Sequence, residues 1–464
     1  MSIDPRPKFD FQELFTFELA NNHQGQVNHG KLIIQELGQI AKEFKLKAAV
    51  KLQLRDLDSF IHPDHSDSTT NKHISRFLST RLTTEEFGEL VAEIKQEGLI
   101  TMATPFDEPS VDLADRLGVE ILKVASCSAQ DWPLLEKIVE AGKPVIISVG
   151  GLDLNEIDKV VSFFEHRGAD FALMHCVAVY PTPSSALALD RIETLRRRYP
   201  QLTIGFSTHE DPKNILAIAL AYARGARIFE KHVGVPTKDI SLNAYSATPD
   251  QIRRWLTSYH LAVRALKVDN PNAGQVAAAE VRDLRSLMRG VYAKTNLKSG
   301  QILTREDVFF AMPLLSDQQL VSGQFKAGLV ANRDYQAGEA IDEIIRPTVT
   351  NRRDLIYAIV REAKAMLNYA KIALSHDFQV EISHHYGLER FKEVGCLIID
   401  CFNREYAKKL IIQFPGQFHP VHYHKNKDET FYILYGSLEA EVEGKRKILY
   451  PGDVLWLPRG VWHS

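Results

Sequence analysis

His209 and His232 stand at the ends of two successive apolar runs, TIGFSTHE and ARIFEKHV. Two neutral imidazoles brought together can hold a divalent cation and leave coordination positions open for a substrate. Other polar residues end apolar runs in the same way: Glu18, Lys51 with Gln53, Thr104, Lys123 with Ser126, Ser148, Ser207 and Glu230, with Tyr180 just past the sixth run. Residues two apart in a strand share a face, so Lys51 and Gln53 point one way together, as do Ser207 and His209. Two lysines among several hydroxyls suit an anion carrying phosphate and carboxylate groups, the ammonium groups supplying charge and the hydroxyls fixing orientation. Each residue alone has an ordinary structural explanation; their convergence is what argues for chemistry.

The elements that must position them alternate regularly through the first 270 residues. Strand-like runs occur at LFTFELA, AAVKLQL, LITMATP, EILKVAS, PVIISVG, FALMHCV, LTIGFST and ARIFEKH, each followed by a helix-like stretch. In TTEEFGELVAEIKQEG, Thr84 is the expected cap, acidic residues fill the first turn and Gly98 ends the helix; LNEIDKVVSFFEHRG follows the same plan. Eight such units predict a parallel (β/α)8 barrel over residues 1–270, with the polar strand ends gathered at one mouth. An open doubly wound sheet is the competing arrangement, but no glycine-rich GxGxxG turn follows any of the strands.

Composition narrows the partners. With 464 residues, 45% of them hydrophobic, the chain can bury more than one core. A formal net charge of -3 gives no bulk reason to bind nucleic acid or an anionic membrane, and no run of about 18 apolar residues could span a bilayer. The opening MSIDPRPKFDF lacks a signal-peptide pattern, so the expected location is cytoplasmic and the expected partners are small molecules. Cys127, Cys176, Cys396 and Cys401 are too few and too scattered for a disulfide framework or a cysteine zinc site.

Seven segments then carry a resemblance. ELANNHQG at 18–25, VKLQL at 50–54, TPFDEPSVD at 104–112, LKVAS at 122–126, HCVAVYPTP at 175–183, GFSTHE at 205–210 and EKHV at 230–233 resemble, in order, the motifs of the N-acetylneuraminate (sialic acid) synthase family. That family condenses phosphoenolpyruvate with an N-acylated hexose to give a nine-carbon ulosonic acid. The resemblance implies a divalent metal, Mn2+ or Mg2+, on His209 and His232, with Glu18 as the acid/base group beside it. It places Lys51, Thr104, Lys123, Ser126, Ser148 and Ser207 at phosphoenolpyruvate, and Gln53 and Tyr180 near the sugar. It also implies a homodimer. Such a metal would act as a Lewis acid on the open-chain aldehyde, while the lysines hold the anion in reacting geometry.

The chain departs from the family pattern on the sugar side. Ser128 stands where a glutamate is common, Ala178 stands where asparagine precedes the tyrosine, and VPTKDISLNAYSATP replaces the usual segment after EKH, so that Asp239 and Asn243 lose their normal spacing to Ser246. The expected acceptor is therefore an acylamino sugar other than N-acetylmannosamine. After a punctuated linker, VDNPNAGQVAAAE, residues 280–347 resemble the family's antifreeze-like (SAF) domain, in which AKTNLKSGQIL and ANRDYQAGEAI repeat one pattern. The family's SAF arginine, which reaches a partner's sugar, is replaced by Met312 in FFAMPLL.

Residues 350–464 form the third expected domain, a helix over 355–374 followed by a small all-β barrel. G-x5-H-x-H-x4-E-x6-G from Gly416 and G-x5-P-x-G-x2-H from Gly452 match both cupin motifs. The resemblance to cupins implies a second divalent metal, on His422, His424, Glu429 and His463. The second motif stops one residue after His463, which suggests a fragment or an incomplete barrel. His384 and His385 read as surface or strand residues. Two other functions stay open: a bifunctional enzyme whose cupin isomerises or epimerises a sugar, and a non-catalytic sugar-binding regulator.

Overall fold

The computed structural model describes residues 8–65, 71–207, 209–266, 276–342, 344–345, 352–374 and 378–464. Eight strands, β1 (Leu14–Glu18), β2 (Lys47–Leu54), β3 (Ile100–Pro105), β4 (Ile121–Val124), β5 (Val145–Ser148), β6 (Phe171–Cys176), β7 (Ile204–Ser207) and β8 (Ile228–His232), close in sequence order into one barrel. All neighbours are parallel, and β1 seals the barrel against β8 with Glu18 level with His232 on one side and Lys51 on the other. The (β/α)8 fold expected from the alternation is the fold found.

The period of two in each strand sorts side chains into layers. Phe15 and Phe17 of β1 point outward into the apolar layer between sheet and helices. Leu14, Ala49, Met102, Ile121, Ile146, Ala172, Met174 and Ile228 point inward and fill the barrel floor. Two residues further along the same strands come Thr16, Lys51, Thr104, Lys123, Ser148 and Glu230, all buried. The mouth is thus polar because most strands switch from apolar to polar on their inner face near the carboxyl end. Gly205 belongs to the lower layer: a Cβ there would lie 2.9 Å from that of Ile228 and 3.1 Å from Met174 Cε.

Helix termini follow sequence rules with one correction. Thr83, not Thr84, caps the helix Thr84–Gln96, its hydroxyl accepting from the Glu86 N–H while Glu86 accepts in return from the Thr83 N–H. The reciprocal box requires a glutamate three residues after the cap, and that spacing selects Thr83. Asp153 and Glu156 build the same box on Leu154–His166.

The chain divides into two compact units, residues 1–275 and 276–464. Most of the expected linker at 268–280, and the junction at 347–350, lie outside the described residues. Within the second unit the two repeats pair with each other. The Leu297 and Tyr335 backbones exchange hydrogen bonds of 2.8 and 3.0 Å, while Gly300 and Gly338 each donate 2.8 Å bonds to Ala331 and Ala293. Both glycines hold positive φ, which explains their recurrence. Further on, the helix Arg352–Tyr369 packs Ile359, Ala363 and Leu367 onto Phe391, Leu397, Ile399, Ile412 and Phe414. It is a packed connecting helix, as its periodicity suggested, and ends about five residues early.

Candidate active site

The barrel mouth brings the strand-end residues into one chain of contacts. Lys51 Nζ lies 2.5 Å from a Glu18 oxygen and 2.9 Å from Glu230, and Lys123 Nζ lies 2.8 Å from the other Glu230 oxygen. Ser207 donates a 2.9 Å hydrogen bond to Glu230 as well. All four charged side chains are at most 5% exposed. Sequence reasoning placed the two lysines as a clamp for an anion but gave Glu230 no role; it is their shared counter-ion. Its signal was available, because Glu230 lies two residues before His232 on the same strand face.

Burial and mutual charge set the protonation states. Burial, reinforced by Glu230, raises the Glu18 carboxyl above its ordinary range even though Lys51 opposes the shift. Burial also works against the Glu230 carboxylate, but the lysines on both sides outweigh it and hold Glu230 ionised. Lys51 and Lys123 therefore share the Glu230 carboxylate, while the Glu18 carboxyl, its hold on a proton strengthened, lies against Lys51.

His209 and His232 face each other with ring centroids 5.0 Å apart. Burial lowers His209 to about 4, and burial together with His209 pushes His232 well below the ordinary histidine value. Neutral imidazoles are what a divalent metal requires. His209 Nδ1 is 3.4 Å from the Val177 carbonyl, a contact that leaves Nε2 as the nitrogen for a ligand. The donor set fits a divalent ion. Tyr180 lies against His209 at 4.1 Å between centroids, and Tyr245 meets both imidazoles edge-on at 5.4 and 5.1 Å. Tyr245 comes from the segment after β8 and was not recognised from sequence, because an irregular loop gives no facing pattern.

The remaining expected residues line the same mouth. Ser126 Oγ accepts from the Gly150 N–H at 3.0 Å, and a Cβ on Gly150 would sit 2.9 Å from that oxygen. Thr104 Oγ1 is buried without a hydrogen-bond partner among the described residues, so a donor and acceptor wait there for a ligand. Ser148 is buried at the end of β5. Gln53 accepts a hydrogen bond from Arg55. Asn22, inside the ELANNHQG segment, donates to the Val233 carbonyl at 2.7 Å and to Ser246 at 3.0 Å, tying the loop after β1 to the loop after β8.

A second cluster lies in the other unit. One ligand atom from each of His422, His424, Glu429 and His463 falls within 4.8 Å of the others. His422 and His463 exchange backbone hydrogen bonds of 2.9 Å, and each turns Nδ1 to a carbonyl, Pro420 and Val461, at 2.9 Å. Both Nε2 atoms are thereby left for a ligand. His463 Nε2 is buried without a hydrogen-bond partner among the described residues, and a divalent ion fits that orphaned acceptor. Lys427 meets Glu429 at 2.6 Å. His385 is exposed and touches His419 at 3.1 Å between Nε2 atoms.

The NeuB family profile matches residues 39–270, and a cupin domain profile matches residues 411–464. The N,N'-diacetyllegionaminic acid synthase of Campylobacter jejuni is 24% identical over 71% of this chain and 99% of its own length. A Chromobacterium violaceum structure assigned as spore coat polysaccharide biosynthesis protein E is 44% identical, with a TM-score of 0.66 over 72% of this chain and all of that one. A sialic acid synthetase structure from Leptospira borgpetersenii, in complex with citrate, is 28% identical, with a TM-score of 0.50 over 60% of this chain and 90% of that one.

Proposed function

The chain belongs to the NeuB family, and on that premise we propose that its barrel condenses phosphoenolpyruvate with an acylamino sugar aldehyde other than N-acetylmannosamine. The product is a nonulosonic acid, and phosphate is released. The observation that carries this reading is the buried sequence of Glu18, Lys51, Glu230 and Lys123 in the same mouth as the His209 and His232 pair. It joins two buried lysines, for a small polyanion, to a neutral donor pair for a metal.

Carbon 3 of phosphoenolpyruvate forms a bond to the aldehyde carbon, and cationic character develops at carbon 2. Water adds there, the bond from carbon 2 to the phosphate oxygen breaks, and the keto acid remains. Lys51 and Lys123 hold the phosphate and carboxylate of the donor, with Thr104, Ser126, Ser148 and Ser207 fixing its orientation. Glu18, whose hold on a proton burial strengthens, supplies a proton to the aldehyde oxygen and recovers one from the attacking water. Glu230 stays ionised, and close to carbon 2 its charge offsets the cationic character that develops there. A divalent metal on His209 and His232 supplies Lewis acidity toward the aldehyde oxygen. Gln53 and Tyr180 sit on the acceptor side, where Ser128, Ala178 and the loop containing Tyr245 depart from the family's motifs.

A panel of acylamino sugars with phosphoenolpyruvate, scored by phosphate release, tests the proposal. Release that depends on the acceptor, with best turnover on a sugar other than N-acetylmannosamine, is the expected result. A second reading rests on the four-ligand cupin cluster: sugar isomerisation or epimerisation supplying or consuming a barrel substrate. Following both isomerisation and condensation in a His422→Ala, His424→Ala variant separates the two. The expected partners remain small molecules, in a homodimeric cytoplasmic enzyme. Among the described residues no helix is long and apolar enough to cross a membrane.

A further inference from the structure

Lys51 and Gln53 are alternate residues on the inner face of β2, and Arg55 follows just past the strand end, where it bonds back to Gln53. Lys51 belongs to the ion-paired layer. Arg55 stands two pleats above it, past the strand end, where a small anion held by the lysines does not reach.

The guanidinium there is held in an unusual setting. Its carbon lies 3.6 Å from the Phe106 ring centroid and 4.1 Å from that of Phe77, with Phe60 further out at 5.9 Å. One edge donates to Gln53 at 3.1 Å. Nε is buried without a hydrogen-bond partner, and no carboxylate lies within ion-pair distance of Arg55 among the described residues. Burial lowers the guanidinium to about 10, a group that remains charged at neutral pH yet has lost much of its hydration. Aromatic faces fix the plane of the group, so little side-chain entropy remains to be lost when a planar or tetrahedral anion binds. Arg55 and Gln53 line a cavity of about 410 Å³ that also receives Arg81 and Arg116, against Asp56 and Glu85. Arg81 is already neutralised by two hydrogen bonds to Asp58, at 2.8 and 2.5 Å.

We propose that Arg55 forms a subsite for an anionic substituent, a phosphomonoester or a carboxylate, on the end of the acceptor sugar remote from its aldehyde. The inference rests on the synthase reading for the position of the acceptor. Gln53, bonded to Arg55, links the subsite to the mouth. Met312 occupies the position at which the family resemblance implies an arginine for the sugar, and Arg55 gives this chain a cation from its own barrel.

The test uses the full chain as wild type, Arg55→Met and Arg55→Lys. Methionine keeps an unbranched stem between the phenylalanines without the charge, and lysine keeps the charge without the fork. Three acceptors share one acylamino group and differ at the far end: neutral hydroxymethyl, phosphomonoester and carboxylate. The wild type is expected to favour one anionic acceptor in kcat/KM by at least about tenfold over the neutral one. Arg55→Met should reduce that ratio by about 10- to 100-fold, mainly through KM, with partial recovery in Arg55→Lys. The phosphate and carboxylate arms identify which anion is read. A wild type that prefers the neutral sugar, or an Arg55→Met variant that weakens all three alike, overturns the subsite. Calorimetric titration of the same sugars without phosphoenolpyruvate separates this from failure of the synthase reading. If no acceptor releases phosphate, an Arg55-dependent affinity for the anionic sugars still supports the subsite, and equal affinities in wild type and Arg55→Met refute it.

Discussion

The barrel mouth and the cupin cluster both gather imidazoles, yet they solve different problems. In the barrel, the buried His209 and the half-buried His232 share the mouth with two lysines and two acidic residues joined in one chain of ion pairs. In the cupin, three histidines and one glutamate stand together, His463 alone of the four being buried, and Lys427 pairs with Glu429. The cupin donor set can complete most of a metal's coordination by itself, whereas the barrel pair leaves most of it to substrate and solvent. The difference lies in charge: the barrel mouth sets two buried lysines beside its imidazoles, whereas the lysine at the cupin cluster is exposed.

The sharpest way to break this comparison is to remove a barrel imidazole. His232→Ala should lower phosphate release from phosphoenolpyruvate by on the order of 10³-fold, read as kcat/KM with the best acceptor. A loss below tenfold would place the chemistry elsewhere. Removing the shared counter-ion comes next. Glu230→Leu leaves Lys51 and Lys123 buried without their shared counter-ion, and should destabilise the chain by about 3–5 kcal/mol in denaturant unfolding. A cost near that of a surface substitution would show that water, not Glu230, compensates the lysines.

Metal counting sharpens the contrast further. His424→Ala and His209→Ala are each expected to remove about one bound metal equivalent in elemental analysis, and the double variant about two. If either single variant abolishes both equivalents, the two clusters are not independent centres. Smaller effects belong to the scaffold. Gly205→Ala forces a methyl against Ile228 beneath the mouth and should cost about 1–3 kcal/mol. Thr83→Ala, remote from both clusters, should cost about 1 kcal/mol through loss of the cap.

Much of this was legible in the sequence because two periodicities were enough. Alternation along each strand placed Lys51 with Gln53 and Ser207 with His209 on inner faces, and the eight-fold recurrence of strand and helix required a common mouth. The cupin ligands were readable from motif spacing alone. What was not legible came from contacts across strands or from loops. Glu230 pairs with Lys51 and Lys123 from other strands, and no local pattern states which charge a strand-end carboxylate will meet. Tyr245 reaches the histidines from an irregular segment. Arg55 lay one alternation beyond the residues that end β2, and only the aromatic rings packed around it mark it as unusual. The cap fell on Thr83 because two adjacent threonines compete and only one has a glutamate three residues on.

Phosphate release is the most direct measurement of the central claim. The purified full chain, supplied with a divalent metal, phosphoenolpyruvate and a panel of acylamino sugars, should release phosphate only when an acceptor is present, and fastest with a sugar other than N-acetylmannosamine. No release with any acceptor would contradict the synthase reading, and best turnover with N-acetylmannosamine would contradict the altered acceptor side.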